Sequence, residues 1–115
     1  MKSIQFKIEQ EEYVKTYLTL MNGIFNLTEM EISILAAFIK YNPDLIGTSL
    51  SRKVVAEWLN ITNVAVLNNY VKKLKTKNAI LITKDSHYTL HPTLHPDNYR
   101  DGIKFQFVYA QAEVL

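Results

Sequence analysis

The chain reads as a mainly α domain with a small β component, and three observations predict it. Apolar residues recur at spacings of three and four through most of the middle of the chain, the period of a helix with one buried face. Thr28 followed by Glu31 is a capping pair, in which each side chain satisfies the other's free backbone N–H at a helix start. Only three glycines and three prolines interrupt 115 residues that are 48% hydrophobic and 21% charged. That composition excludes disordered, collagenous and low-complexity chains. One domain, 1–115, is expected, with roughly two thirds of the unfolded surface removed from water on folding.

The elements follow in order. Residues 3–9 alternate, with Ile4, Phe6 and Ile8 on one side and Gln5 and Lys7 on the other, which predicts a half-buried strand. Gln10, Glu11 and Glu12 open a helix over 10–22, acids at its positive end. Tyr13, Val14, Tyr17, Leu18 and Met21 line its apolar face, and Asn22-Gly23 ends it. After Thr28 comes a helix with the stripe Ile32, Leu35, Ala36 and Ile39, with Leu27 stapled onto Ile32, stopped by Asn42-Pro43-Asp44. Ser51 is the expected cap of a short helix burying Val55, Ala56 and Leu59, with Leu50 stapled onto Val55. Asn60-Ile61-Thr62 turns the chain, and Thr62 is the expected cap of a helix carrying Val64, Leu67, Val71 and Leu74. Ala79 to Thr83 and Tyr88 to Leu90 read as a hairpin around Asp85-Ser86. Residues 91–98 are irregular. Ile103, Phe105, Phe107 and Tyr109 form one face of a second alternating strand. The two terminal strands are expected to pair with each other over helix 10–22; the alternative is that each adds to a sheet in another subunit. Phe38 and Tyr70 are expected in the core and Trp58 at its edge.

Several chemistries drop out. Without cysteine there is no disulfide framework, thiolate-held metal or thiol nucleophile. The charged start lacks the apolar centre of a signal peptide, and the longest apolar run, Ile34 to Ile39, is far short of a membrane span. A soluble, cytoplasmic protein is expected. His87, His91 and His95 are spaced by four, but Pro92 and Pro96 forbid the helix that would align them as metal ligands. Helix-start electrostatics accounts for Glu9, Glu11 and Glu12, and the sequons at Asn26 and Asn60 read as caps and turn residues. With no glycine-rich phosphate loop and no activated nucleophile, no enzyme, cofactor or metal is expected.

Charge is segregated. Residues 52–84 hold Arg52, Lys53, Lys72, Lys73, Lys75, Lys77 and Lys84 against Glu57 alone, while the whole chain carries only +2. Such a concentration suits an anionic polymer; a solvated helix face is the plainer reading.

Residues 27–90 resemble a winged helix-turn-helix domain, nearest the MarR-type bacterial regulators and the initiator-like winged helices of phages and plasmids. The resemblance rests on Leu27-Thr28-Glu29-Met30-Glu31 with Ile34-Leu35, on Ser51 to Thr62, and on Leu67, Val71 and Leu74 ahead of Ile80-Leu81-Ile82. It implies a three-helix core plus a β-hairpin wing, flanked by 1–26 with an extra N-terminal strand and helix, and by 91–115 with a terminal strand. Two departures stand out: Asn78-Ala79 replaces the glycine usual before the first wing strand, and the short wing, Thr83 to His87, lacks paired arginines. The resemblance also implies non-catalytic binding of double-stranded DNA by a phage or bacterial transcriptional regulator or replication-associated factor, acting in the cytoplasm of the bacterial host cell. With Leu67, Val71 and Leu74 inward, Asn63, Asn68, Asn69 and Lys72 are the candidates for base reading. Arg52, Lys53, Lys73, Lys75, Lys77 and Lys84 are the phosphate candidates. The alternative is the same fold reused as a structural or protein-interaction module, in a virion or polymerase complex, docking as a homodimer or on another protein through the terminal strands.

Overall fold

Helix boundaries follow local side-chain chemistry. In the computed structural model, which describes residues 2–109, α1 spans Gln10–Leu20, α2 Asn22–Phe25, α3 Glu29–Tyr41, α4 Ser49–Trp58 and α5 Val64–Thr76. Strands β1 (Ile80–Ile82) and β2 (Tyr88–Leu90) follow, then two 3-10 turns, Pro92–Leu94 and Pro96–Asn98. Glu31 N–H donates to Thr28 Oγ1 at 3.2 Å and Thr28 N–H to Glu31 Oε1 at 2.9 Å, which is the expected capping box. Two caps differ from expectation. Thr48, not Ser51, caps α4: its Oγ1 accepts from Ser51 N–H at 3.2 Å, and the Ser51 hydroxyl donates back to Thr48 O at 3.0 Å. Leu50 therefore lies inside the helix, 58% exposed, and staples nothing. Asn63, not Thr62, caps α5, its Oδ1 accepting from Ala65 N–H at 2.9 Å.

Asparagine takes the role of glycine at the helix ends. Asn60 and Asn78 adopt left-handed backbone, φ 55° and 64°. After α4, Ile61 N–H donates to Ala56 O at 2.8 Å and Asn60 N–H to Glu57 O at 3.3 Å. After α5, Ala79 N–H donates to Leu74 O and Asn78 N–H to Lys75 O, both at 3.0 Å. These are paired Schellman closures, and asparagine enters them at the least steric cost after glycine. Asn78 thus supplies the backbone turn for which a glycine was expected ahead of the hairpin. Asn26, φ 54°, ends α2, a helical turn that prolongs the N-terminal helical region past Asn22-Gly23.

α3 is the hub and packs against α1, α4 and α5. Ile34, Leu35 and Phe38 are fully enclosed and Ile32 and Ile39 nearly so, a wider buried arc than the expected stripe, because neighbours surround the helix on three sides. From α5, Leu67, Val71 and Leu74 enter the same core as Val55 of α4 and Ile80 and Leu90 of the hairpin. Val64 is 64% exposed, so the α5 stripe begins at Leu67. Tyr70 packs at the core margin, whereas Trp58 is half exposed with its ring edge-on to Tyr41 at 6.0 Å. The hairpin is antiparallel, with Ile80 opposite Leu90 and Ile82 opposite Tyr88.

Tyrosines pin the segment after the hairpin onto α1. Tyr17 stacks on Tyr99 at 3.7 Å, Tyr17 Oη donates to Thr93 O at 2.6 Å, and Tyr13 Oη donates to Tyr99 O at 2.5 Å. Tyr99 Oη donates to Leu94 O at 3.1 Å. Burial, reinforced by Tyr17 and Tyr13, pushes the Tyr99 hydroxyl well above the ordinary tyrosine value. The duplicated Leu-His-Pro also has local meaning: His91 and His95 each cap a 3-10 turn through Nδ1, with proline at its start.

The terminal strands are the main correction. Neither 3–9 nor 103–109 forms a strand, and the only sheet among the described residues is β1–β2. Phe6 is 81% and Phe107 95% exposed. The physical reason is that Ile103 and Phe105 run beside Tyr17 of α1 and Met21 just past its end, lining a shallow apolar groove, and neither tail pairs with another strand among the described residues. No helix among the described residues is long and apolar enough to cross a membrane.

Candidate nucleic-acid interface

The expected cationic residues lie on α4, α5 and the hairpin loop. With Leu67, Val71 and Leu74 inward, helical geometry puts Asn69 and Lys72 on the opposite face of α5. Asn68, Lys72 and Lys75 form one row at spacings of four and three; Asn69 and Lys73 form a second. Asn69, Lys72, Lys73 and Lys75 are exposed, as are Lys53 of α4 and Lys84 in the turn between β1 and β2. Lys73 Nζ lies 5.3 Å from the Tyr70 ring, which steadies its stem without neutralising it.

Four candidates, Lys77, Asn63, Asn68 and Arg52, make contacts inside the molecule. Lys77 is an internal partner: its Nζ contacts Glu31 Oε1 at 2.6 Å and donates to Asn26 O at 2.9 Å, tying the end of α5 to the start of α3. The Glu31 side chain is 1% exposed, and its Oε2 has no hydrogen-bond partner among the described residues. Burial pushes the Glu31 carboxyl up, yet Lys77 and the bonds to Thr28 outweigh it and hold the group below its ordinary value. Asn63 spends its oxygen on the α5 cap. Asn68 is half-buried, and its Oδ1 accepts from Arg52 Nη1 at 2.5 Å.

Arg52 organises the centre of the surface. Its Nε donates to Gly47 O at 2.8 Å while its guanidinium lies 5.8 Å from the Tyr88 ring centre. One side chain thereby joins the loop before α4, the outer row of α5 and the second hairpin strand. Gly47 is left-handed, φ 73°, and a Cβ there would come within 2.7 Å of the Tyr88 ring. Glycine is required both for the turn and for the seat of Tyr88. Sequence reasoning named Arg52 and Asn68 but not their contact, which depends on how α4 crosses α5. Gly47 and Tyr88 had no local signal.

Elsewhere the molecule offers less chemistry. No cluster of histidine and carboxylate able to hold a metal exists among the described residues. His95 instead places Nε2 3.1 Å from Asp44 Oδ1 while its Nδ1 caps the second 3-10 turn. Compared with protein-family models, curated proteins and solved structures, the chain gives no significant match.

Proposed function

We propose that the protein binds double-stranded DNA without catalysis, as a winged helix-turn-helix of the regulator or replication-associated kind. The observation that carries this reading is the exposed set Lys53, Lys72, Lys73, Lys75 and Lys84, joined by Arg52 and opposed on α4 and α5 only by Glu57. Supporting it is the order α3, α4, α5 and hairpin, in which α5 buries one face and offers asparagine and lysine on the other. Lysines displace counterions from phosphates; Asn69 and Lys72 on the outer face reach base edges. Purified protein should retard random duplex DNA at low ionic strength and release it steeply as salt rises. No retardation at low salt refutes the reading.

A second reading, a protein-interaction module, is favoured by the exposed apolar termini, above all Phe6 and Phe107. Light scattering separates the two: a higher-order species that Phe6→Ser and Phe107→Ser together reduce to monomer supports docking through the tails.

A further inference from the structure

The first turn of α5 is apolar yet lies in solvent. Val64 is 64% exposed, and Ala65 and Val66 after it are exposed as well. No other helix among the described residues shows three consecutive exposed apolar residues. Successive residues on a helix are about 100° apart, so such a run is not the fringe of the buried stripe that begins at Leu67. It gains nothing from folding. Valine at an exposed helical position also costs helix stability, because its β-branch leaves few rotamers there. A run of this kind has its explanation in a contact outside the chain.

We infer that Val64 and Ala65 read thymine, packing on its 5-methyl group in the major groove. This rests on the DNA-binding reading above and deepens it by naming the base. Thymine alone among the four bases places a methyl group in that groove, and small apolar side chains are suited to contact it. Charge favours DNA over an apolar protein as the occupant. Val64 heads the row that continues through Asn68, Lys72 and Lys75, and Ala65 heads the row of Asn69 and Lys73. The lysines of both rows are exposed, and Glu57 is the sole acid on α4 and α5. Length fits as well: eight residues separate Ala65 from Lys73, about 12 Å along the axis, against a major groove about 8.5 Å deep. A helix entering by its first turn thus brings its apolar tip to the base edges and its lysines to the level of the phosphates. Asn63, ahead of the turn, directs its oxygen back onto Ala65 N–H at 2.9 Å, so the leading outward groups are methyls.

Deoxyuridine in place of thymidine removes that methyl and leaves every hydrogen-bonding group, which makes the test direct. A preferred site is selected from a randomised duplex pool and rebuilt with deoxyuridine at each thymine in turn. At one or two positions the wild-type protein should bind the deoxyuridine duplex about fourfold more weakly, the effect of one buried carbon. The double variant Val64→Ser, Ala65→Ser should bind the two duplexes equally. The wild-type comparison needs no variant, so it decides the matter even if the double variant fails to fold. Equal wild-type binding at every position, or discrimination of the same size in the double variant, overturns the inference while leaving DNA binding intact. A self-associated species that the double variant dissolves, with no deoxyuridine effect in the wild type, assigns the turn to a protein contact and overturns it too. Absence of salt-sensitive retardation on any duplex overturns the DNA reading itself, and the inference with it.

Discussion

Three segments of the chain alternate between apolar and polar residues or run rich in β-branched ones, yet only one becomes sheet. Ile80–Ile82 pairs with Tyr88–Leu90, whereas 3–9 and 103–109, with cleaner alternation, pair with nothing among the described residues. The hairpin has what the tails lack. Asn78 turns the backbone out of α5 into β1, and the β1–β2 turn closes through Thr83 N–H on His87 O at 2.8 Å. Ile80 and Leu90 then drop into a core already built by α3 and α5, and Tyr88 sits on Gly47. Alternation describes a face; a strand also needs a second backbone at hydrogen-bonding distance and somewhere to bury that face.

That contrast can be broken most severely at the buried end of the hairpin. Ile80 is fully enclosed, so Ile80→Ala should cost about 2–5 kcal/mol in denaturant unfolding through lost contacts and the cavity left behind. An effect below 1 kcal/mol would mean that the hairpin is as peripheral as the tails. The seat of Tyr88 comes next. Gly47→Ala places a Cβ within 2.7 Å of the Tyr88 ring at a positive φ and should cost about 1–3 kcal/mol. Its thermal melt should fall accordingly, and Gly47→Ala with Tyr88→Ala should recover the steric part alone.

The tie between α5 and α3 gives a third test, with a pH signature. Lys77→Met leaves the Glu31 carboxylate buried without its cation and should destabilise by about 1–3 kcal/mol near neutrality. Folding depresses the Glu31 value below its ordinary 4.5. The associated stability is therefore complete above that ordinary value and is lost as pH falls through the lower folded value. Wild type and Lys77→Met should converge in urea midpoint as the medium is acidified through this window; parallel curves would show that the pair contributes no proton-linked stability. The smallest effect belongs to the tails: Phe6→Ser, at a residue 81% exposed, should shift the unfolding free energy by less than about 0.5 kcal/mol. A loss comparable to Ile80→Ala would show that the N-terminal segment is packed in solution.

Much of the helical frame was legible because its causes are local. The capping box at Thr28 and Glu31, the stripe Leu67, Val71 and Leu74, and the return of the chain at Asp85-Ser86 all lie within a few residues of what they control. Caps were read to within a few residues: Thr48 and Asn63 compete with Ser51 and Thr62, and neighbouring hydroxyl and amide side chains cap equally well. Two asparagines in left-handed backbone replaced the glycines a pattern search would seek, and in hindsight their position just past an apolar stripe is the signal.

What the sequence by itself determined is where α3, α4 and α5 lie, which face of α5 is buried, and that one stretch of the chain is cationic. Propensity, periodicity and charge are properties of neighbours along the chain. Tertiary structure alone decided which of those charges stay outward. Lys75 and Lys77 differ by two positions, yet one is exposed while the other closes on Glu31 from a helix 46 residues earlier. It likewise decided that the tails find no partner in each other, and that the oxygen of Asn68 belongs to Arg52. Those outcomes depend on distances across the fold, set by helix packing around α3, and no local pattern encodes them.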